Sequence, residues 1–307
     1  MPEGDTIHKL ASVLAPELDG RRLRFVELEG RRAPSLERSV HSVRALGKNL
    51  LIALHDAESG GAGRAEPDSG AQRADETIRC HLGMHGNWRR YASLDALAAR
   101  AATGKLLASA SRRAGEAPRR RSLVLATDQG AFVCFDAEPV ECLASGRFLR
   151  SRALRHLGQD LLGERAVDVE RVVRRARHFV AHDRPVADLL LDQRVAAGIG
   201  NVYKSELLHL HGIAPNRPLA QVDDQLIADL YRDGERLLRQ NLGPWKRTTT
   251  WDPRQLRTGE RPPNQSRLFV YGRVGETCIS CGDATVLQRR LGRGNRSTYW
   301  CPRCQVG

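Results

Sequence analysis

Two cysteine pairs near the end of the chain, Cys278-x-x-Cys281 and Cys301-x-x-Cys304, constrain the fold more than any other feature; nineteen residues separate them. Each pair forms a tight knuckle that aims two thiolates at one point, and the spacing is that of a tetrahedral zinc site. Four protein ligands leave no open position for a substrate, so the single Zn2+ expected here is structural. A thioredoxin-like redox pair would need a strand-helix setting that neither pair has. The intervening Gln288–Trp300 segment suits a β-hairpin with arginines near its tip. Cys80, Cys134 and Cys142 lie among apolar residues and read as small buried hydrophobes.

The rest of the 307 residues must build cores of their own, and that length allows two ordinary domains. Lys and Arg total 49 against 36 Asp and Glu, a formal net charge of +13. Such an excess draws polyanions by long-range attraction and counterion release, so nucleic acid, a ribosome or a membrane surface all fit. No apolar run is long enough for a membrane-spanning helix. Glu3 and Asp5 stand where a signal peptide would carry basic residues. These features predict a cytoplasmic protein without a disulfide framework. Only five residues are lysine: Lys9, Lys48, Lys105, Lys204 and Lys246. In so arginine-biased a chain, a lysine hints at work that a planar guanidinium cannot do, which singles out Lys48 and Lys204.

Apolar residues at helical spacing predict a helix over residues 5–18, capped by Asp5 or Thr6. Strands are expected at Arg22–Leu28, Ser39–Ala45, Asn49–Leu54, Thr77–Leu82 and Asn87–Tyr91, then a short helix from Ser93 to about Ala102. A hairpin should pair Ser122–Thr127 with Ala131–Asp136 around Asp128-Gln129-Gly130. Residues 57–76 lack apolar periodicity and read as a flexible insertion, and residues 109–121 as a basic loop. From about residue 146 the pattern turns helical, at Arg147–Leu162, Val167–His182, Pro185–Leu191, Val202–His211 and Asp223–Asn241. Gly243–Gln265 reads as a linker. The expected division is 1–145, 146–265 and 266–307.

Three further segments carry chemistry. In Asp192–Asn201, glycines permit a tight turn before a helix whose free N–H groups would suit a phosphate, with Asn201 as an added donor. Taken alone, the same residues also fit an ordinary helix connection. At the start, removal of Met1 ahead of a small residue would leave Pro2 with a free secondary amine. An α-amino group has a pKa of about 8, so a useful fraction is neutral near pH 7 and can attack an aldehydic sugar carbon. Glu3 beside it could move protons. Many chains begin Met-Pro without any such role. Lys48 stands where a glycine turn enters an apolar strand, a place equally suited to a surface lysine.

Together these features resemble the formamidopyrimidine-DNA glycosylase/endonuclease VIII family along the whole chain. The likeness is carried in order by the start MPEGDTIHKL, Gly47-Lys48-Asn49-Leu50-Leu51, His81-Leu82-Gly83-Met84-His85-Gly86, Gly198-Ile199-Gly200-Asn201-Val202-Tyr203 and the terminal run Arg296–Gln305. The resemblance implies an α+β multidomain fold: an N-terminal β-sandwich with flanking helices, then a helix-two-turn-helix domain and a zinc-finger β-hairpin. It implies a bifunctional DNA glycosylase/AP lyase of base excision repair, acting as a monomer on damaged double-stranded DNA in a bacterial cytoplasm. The damaged nucleotide would be flipped out of the stack. Pro2 matches the nucleophile, Glu3 the general acid/base, and Lys48 the lysine beside the lesion's phosphate and sugar. Asn201 and Arg296 match phosphate clamps, Met84 matches the wedge that fills the vacated space, and Cys278, Cys281, Cys301 and Cys304 match the zinc ligands.

Two departures bear on these roles. The stretch between the cysteine pairs is a few residues longer than the family's; counting back from Cys301 selects Arg296, with Arg293 as the fallback. Asp136-Ala137-Glu138-Pro139-Val140-Glu141 lacks the Arg-Phe wedge pair of the oxidised-purine branch. The MPEGDT start and Val270-Tyr271-Gly272-Arg273-Val274-Gly275 look more like endonuclease VIII, so oxidised pyrimidines are the expected substrates. The alternatives are an oxidised-purine glycosylase, a non-catalytic zinc-containing DNA-binding protein, and a zinc-ribbon RNA or ribosome-associated protein, the last of which gives Pro2 no purpose.

Overall fold

The helix α1 (Gly4–Leu18) buries Ile7, Ala11, Leu14 and Leu18, the apolar stripe its sequence spacing dictates, against the strands that follow it. The structure is a computed structural model that describes residues 2–32, 38–56, 75–102, 119–144, 147, 150–151, 153–256, 260 and 266–306. Most of the expected flexible insertion and basic loop lie outside these residues; Asp75 and Glu76 are described, and Glu76 opens a strand. The expected cap does not form. Glu3 takes the N-cap position without a side-chain bond to its own helix, and Asp5 is buried against other partners.

Two antiparallel sheets make the first half. One has the order β2-β1-β7-β8-β6, from β1 (Phe25–Leu28), β2 (Arg31–Arg32), β6 (Asn87–Tyr91), β7 (Arg121–Thr127) and β8 (Gly130–Phe135). The other has the order β3-β4-β5-β9, from β3 (Arg38–Leu46), β4 (Asn49–Asp56), β5 (Glu76–His81) and β9 (Val140–Ala144). Leu50, Ile52, Ile78 and Cys80 of the second sheet meet Leu123, Leu125, Phe132 and Cys134 of the first in a single apolar layer, the expected β-sandwich core. The helix α2 (Leu94–Ala102) covers the other face of the larger sheet through Leu97. Strand β9 was not anticipated: as a half-exposed edge strand, it shows none of the inward-facing apolar alternation of its neighbours.

The second half is helical: α3 (Val169–Phe179), α4 (Val186–Leu191), α5 (Asn201–Leu210) and α6 (Asp224–Gln240) enclose a second core that includes Leu189, Tyr203, Leu207 and Tyr231. Asp168 caps α3 by accepting from Arg171 N at 2.9 Å, and Asp223 caps α6 by accepting from Leu226 N at 2.7 Å. The helix expected over Arg147–Leu162 does not form at residues 153–162, although Arg147 itself is helical. They form turns leading into β10 (Gln159–Asp160), which pairs in parallel with β11 (Ala196–Ala197). Gly158 explains the extended path, because a Cβ there would lie 2.2 Å from Val195 O.

Asp160 then joins the halves. Its carboxylate accepts from Gly47 N at 2.7 Å and Leu162 N at 3.0 Å and meets His8 Nε2 at 3.0 Å. These bonds hold the carboxyl below the usual range despite its burial. Glu206 of α5 anchors the last segment, accepting from Phe269 N, Val270 N and Tyr271 N at 2.7–3.0 Å and from the Thr249 hydroxyl. Beyond it β12 (Leu287–Leu291) and β13 (Arg296–Trp300) form the expected hairpin, with β13 lying along α5.

The turn between β3 and β4 sits at the seam. Gly47 has φ +57°, and a Cβ there would stand 2.7 Å from Ala197 Cβ. Gly47→Ala is therefore expected to cost at least about 1 kcal/mol from backbone handedness alone, read as a lower urea midpoint; an unchanged midpoint would contradict this packing.

Candidate active site

Glu3 is fully buried, yet its carboxylate does not lie in apolar surroundings. It crosses the seam to the first turn of α5, accepting from Gly200 N at 2.8 Å, Val202 N at 2.7 Å and Tyr203 N at 3.4 Å. A helix N-terminus offers free N–H groups and a positive dipole end, so it stabilises a carboxylate placed there. The sequence had suggested these N–H groups for a phosphate; Glu3 occupies them instead. The approach requires glycine: a Cβ on Gly200 would sit 2.5 Å from Glu3 Cδ, and one on Gly4 would sit 2.9 Å from Gly198 Cα. Gly4 N also donates to Gly198 O at 2.9 Å.

Pro2 precedes Glu3 and lines a cavity of about 270 Å3 together with Lys48, His81, Gly83, Met84, Leu191, Gln193, Gly200, Asn201 and Arg296. Five of the six residues singled out for catalysis and DNA contact thus share one cavity, and the sixth, Glu3, lies directly behind it. They come from the chain start, the β3–β4 turn, the loop after β5, the α5 N-terminus and the β12–β13 hairpin. Met84 is 57% exposed and 3.9 Å from Arg296 Nη1, an apolar side chain standing in a polar cleft. Arg293 instead lies at the hairpin tip, its backbone N–H held by Asp188 at 3.0 Å.

Burial pulls the Lys48 ammonium down to about 8; Glu3 opposes the shift, and the cations Arg296 and Arg247 add to it. Lys204 is pulled down to about 7, again by burial first. Arg247 packs against Glu3 and Asp5. It donates to Asp5 Oδ2 at 2.8 Å, stands 3.9 Å from Glu3 Oε1 and lies over the Tyr203 ring at 4.9 Å, while the Tyr203 hydroxyl donates to Asp5 at 3.1 Å. Burial would lower this guanidinium, but Glu3 and Asp5 outweigh it and raise it. Sequence reading gave Arg247 no role, since it sits in a segment with no periodicity. It also gave none to His81, whose ring Nδ1 accepts from Gly83 N at 3.2 Å, or to Gln193. Gln193 braces the glycine loop by donating to Leu191 O and Ile199 O at 3.0 Å each and accepting from Gly198 N at 3.1 Å.

The four paired cysteines converge, with all four Sγ atoms within 4.8 Å of one another. Cys278–Cys304 and Cys281–Cys301 are each 3.8 Å apart. A tetrahedron with metal–sulfur bonds near 2.3 Å has edges of about 3.8 Å, so the cluster fits one tetrahedral ion.

Residues 157–251 match the family model described as the formamidopyrimidine-DNA glycosylase H2TH domain. The chain is 34% identical to the DNA-(apurinic or apyrimidinic site) lyase Nei2 of Mycolicibacterium smegmatis, over 100% of this chain and 99% of that protein. It is 32% identical to a probable endonuclease 8 2 of Streptomyces coelicolor, over 100% and 95% respectively. Its fold matches the crystal structure of Lactococcus lactis formamidopyrimidine-DNA glycosylase bound non-covalently to DNA containing an AP site, with a TM-score of 0.69 and 19% identity over 99% and 100% of the two chains.

The Lys48 shift predicts a pH signature. Below about pH 8 the lysine is protonated whether the chain is folded or not, and folding must bury the charge. Between about 8 and 10.5 the unfolded chain holds a proton that the folded chain has released, so stability rises with pH. Lys48→Met should raise the melting temperature at pH 7, by up to about 3 kcal/mol of stability, and flatten that rise in melts at pH 7 and 9.5. Equal curves for the two proteins would contradict the burial cost.

Proposed function

The chain belongs to the formamidopyrimidine-DNA glycosylase/endonuclease VIII family, and from that premise we propose that it is a bifunctional DNA glycosylase and AP lyase that excises oxidised bases through the nitrogen of Pro2. The observation that carries this reading is the seat of Glu3: a buried carboxylate, fixed by three backbone donors directly behind a cavity that the adjacent Pro2 lines. With Met1 removed, the neutral amine forms a bond to C1′ of the damaged nucleotide as the C1′–base bond breaks. Glu3 takes the proton that the Pro2 nitrogen sheds and passes it to O4′, which opens the sugar and leaves a Pro2 iminium, while the departing base is protonated from solvent. Loss of a C2′ proton then expels the 3′ phosphate, and a second elimination expels the 5′ phosphate, leaving a one-nucleotide gap. Lys48 serves the phosphate and sugar beside the lesion, Asn201 and Arg296 hold flanking phosphates, and Met84 enters the vacated stack.

Damaged duplex DNA is the partner, and the +13 charge supports its capture. One Zn2+ held by Cys278, Cys281, Cys301 and Cys304 supplies folding energy to the hairpin that carries Arg296 and takes no part in the chemistry. The protein acts as a monomer in a bacterial cytoplasm, at the nucleoid. Oxidised pyrimidines are the preferred substrates, on the endonuclease VIII-like start and the Val270–Gly275 segment.

Retaining Met1 or adding an N-terminal extension should abolish base release and borohydride trapping, with DNA affinity kept; an extended protein that still traps would contradict the mechanism. Glu3→Gln should lose base release while still cutting pre-formed abasic sites. On a panel of lesion duplexes, thymine glycol and dihydrouracil should be released ahead of 8-oxoguanine; the reverse order would place the enzyme with the oxidised-purine branch.

A further inference from the structure

We infer that Lys204 is a positioning residue: from beneath the first turn of α5 it fixes the amide of Asn201 and ties it to the strand that carries Arg296. The inference rests on the proposed role of Asn201 and Arg296 as DNA-phosphate contacts.

Lys204 has no exposed surface. Its Nζ donates to Asn201 Oδ1 at 2.7 Å, Thr298 Oγ1 at 2.7 Å and Ser297 O at 3.2 Å, three acceptors for an ammonium's three protons. None of these partners is a carboxylate. A buried cation with no carboxylate in contact is costly: burial pulls its pKa down to about 7, although Glu3 and Asp188 oppose the shift from farther off. An apolar side chain of the same length would join α5 to β13 more cheaply, so packing alone does not explain a lysine there.

The geometry does explain it. An ammonium has donors only, so the Asn201 group facing it must be the carbonyl oxygen. Lys204 thereby decides which way the amide points. Nδ2 donates one N–H to Ser297 O at 2.6 Å, and its second N–H, which approaches the Tyr271 hydroxyl, is the one that can turn to an anion entering the cavity that Asn201 lines. On the other side, Thr298 Oγ1 donates to Arg296 O at 3.1 Å, so the same ammonium braces the strand just after Arg296. The fork of an arginine spreads its donors in a plane and would not gather three acceptors around one atom.

A double-mutant cycle tests this on the full-length, zinc-loaded protein. Fluorescence anisotropy reads the affinity for a duplex with a tetrahydrofuran abasic analogue, and single-turnover assays at saturating enzyme read the chemical step. Lys204→Met should weaken binding about tenfold, change the single-turnover rate less than about threefold, and leave the melting temperature at or above that of the parent. Asn201→Ala should weaken binding to a similar degree, and the double variant should lose no more than about twofold beyond either single one, because both act through one amide. Lys204→Gln, which keeps a donor without charge, should fall between the parent and Lys204→Met and serves if the latter folds poorly. Full affinity in Lys204→Met or Lys204→Gln beside weakened Asn201→Ala, or losses that simply multiply, would overturn the positioning role alone. Full affinity in Asn201→Ala would contradict the phosphate-contact reading itself and remove the role with it.

Discussion

A carboxylate from the third residue caps a helix that begins about two hundred residues later, and the rest of the site is arranged around that contact. Glu3 supplies to α5 the acceptor that helix N-termini ordinarily take from a local side chain or water. The contact fixes the chain start against the helical half, which sets Pro2 at the cavity. It also draws Gly4 onto Gly198 and Gly200 onto the Glu3 side chain, approaches that no Cβ would permit without displacement. Asp160 repeats the device one layer away, where its carboxylate carries Gly47 and so places Lys48.

The cost of this arrangement is a concentration of buried charge. Glu3, Asp5, Lys48, Lys204 and Arg247 are gathered here: Glu3 acts on both lysines and on Arg247, which pairs with Asp5 and lies 3.9 Å from Glu3. Burial alone would disfavour every one of these ions. Two lysines are left with pKa values near 7 and 8, where a small change in surroundings alters their charge. An apolar seam would hold the halves together more firmly. Where the chain start, α5 and the hairpin meet, the structure instead has Arg247 held against Asp5 and Glu3, with Lys48 and Arg296 lining the cavity in front of them.

Much of the fold was legible because its signals are local. The central strands of the sandwich are short apolar runs, α1 repeats its apolar stripe, and the cysteine spacing brings four thiols to one point. The misread parts depend on distant partners. Residues 153–162 look helical in isolation, but Gly158 and Asp160 are there for Val195 and Gly47, which no short window contains. Asp5 resembles a cap by position and is an ion-pair partner by tertiary contact. Among the site residues, Pro2, Glu3, Lys48, Asn201 and Arg296 stood out through runs matching a known family. Lys204 stood out only through the scarcity of lysine and Arg247 not at all, because their partners lie 94 and 242 residues away in sequence.

The proline mechanism is tested most directly by the atom that captures the sugar. Reducing the reaction of the native protein with lesion DNA by borohydride, then digesting the adduct and mapping its peptides by mass spectrometry, locates that bond. An adduct on the nitrogen of Pro2, in a peptide lacking Met1, is the predicted result. An adduct on the side chain of Lys48 or Lys204, with the first residue unmodified, would show that a different amine performs the reaction.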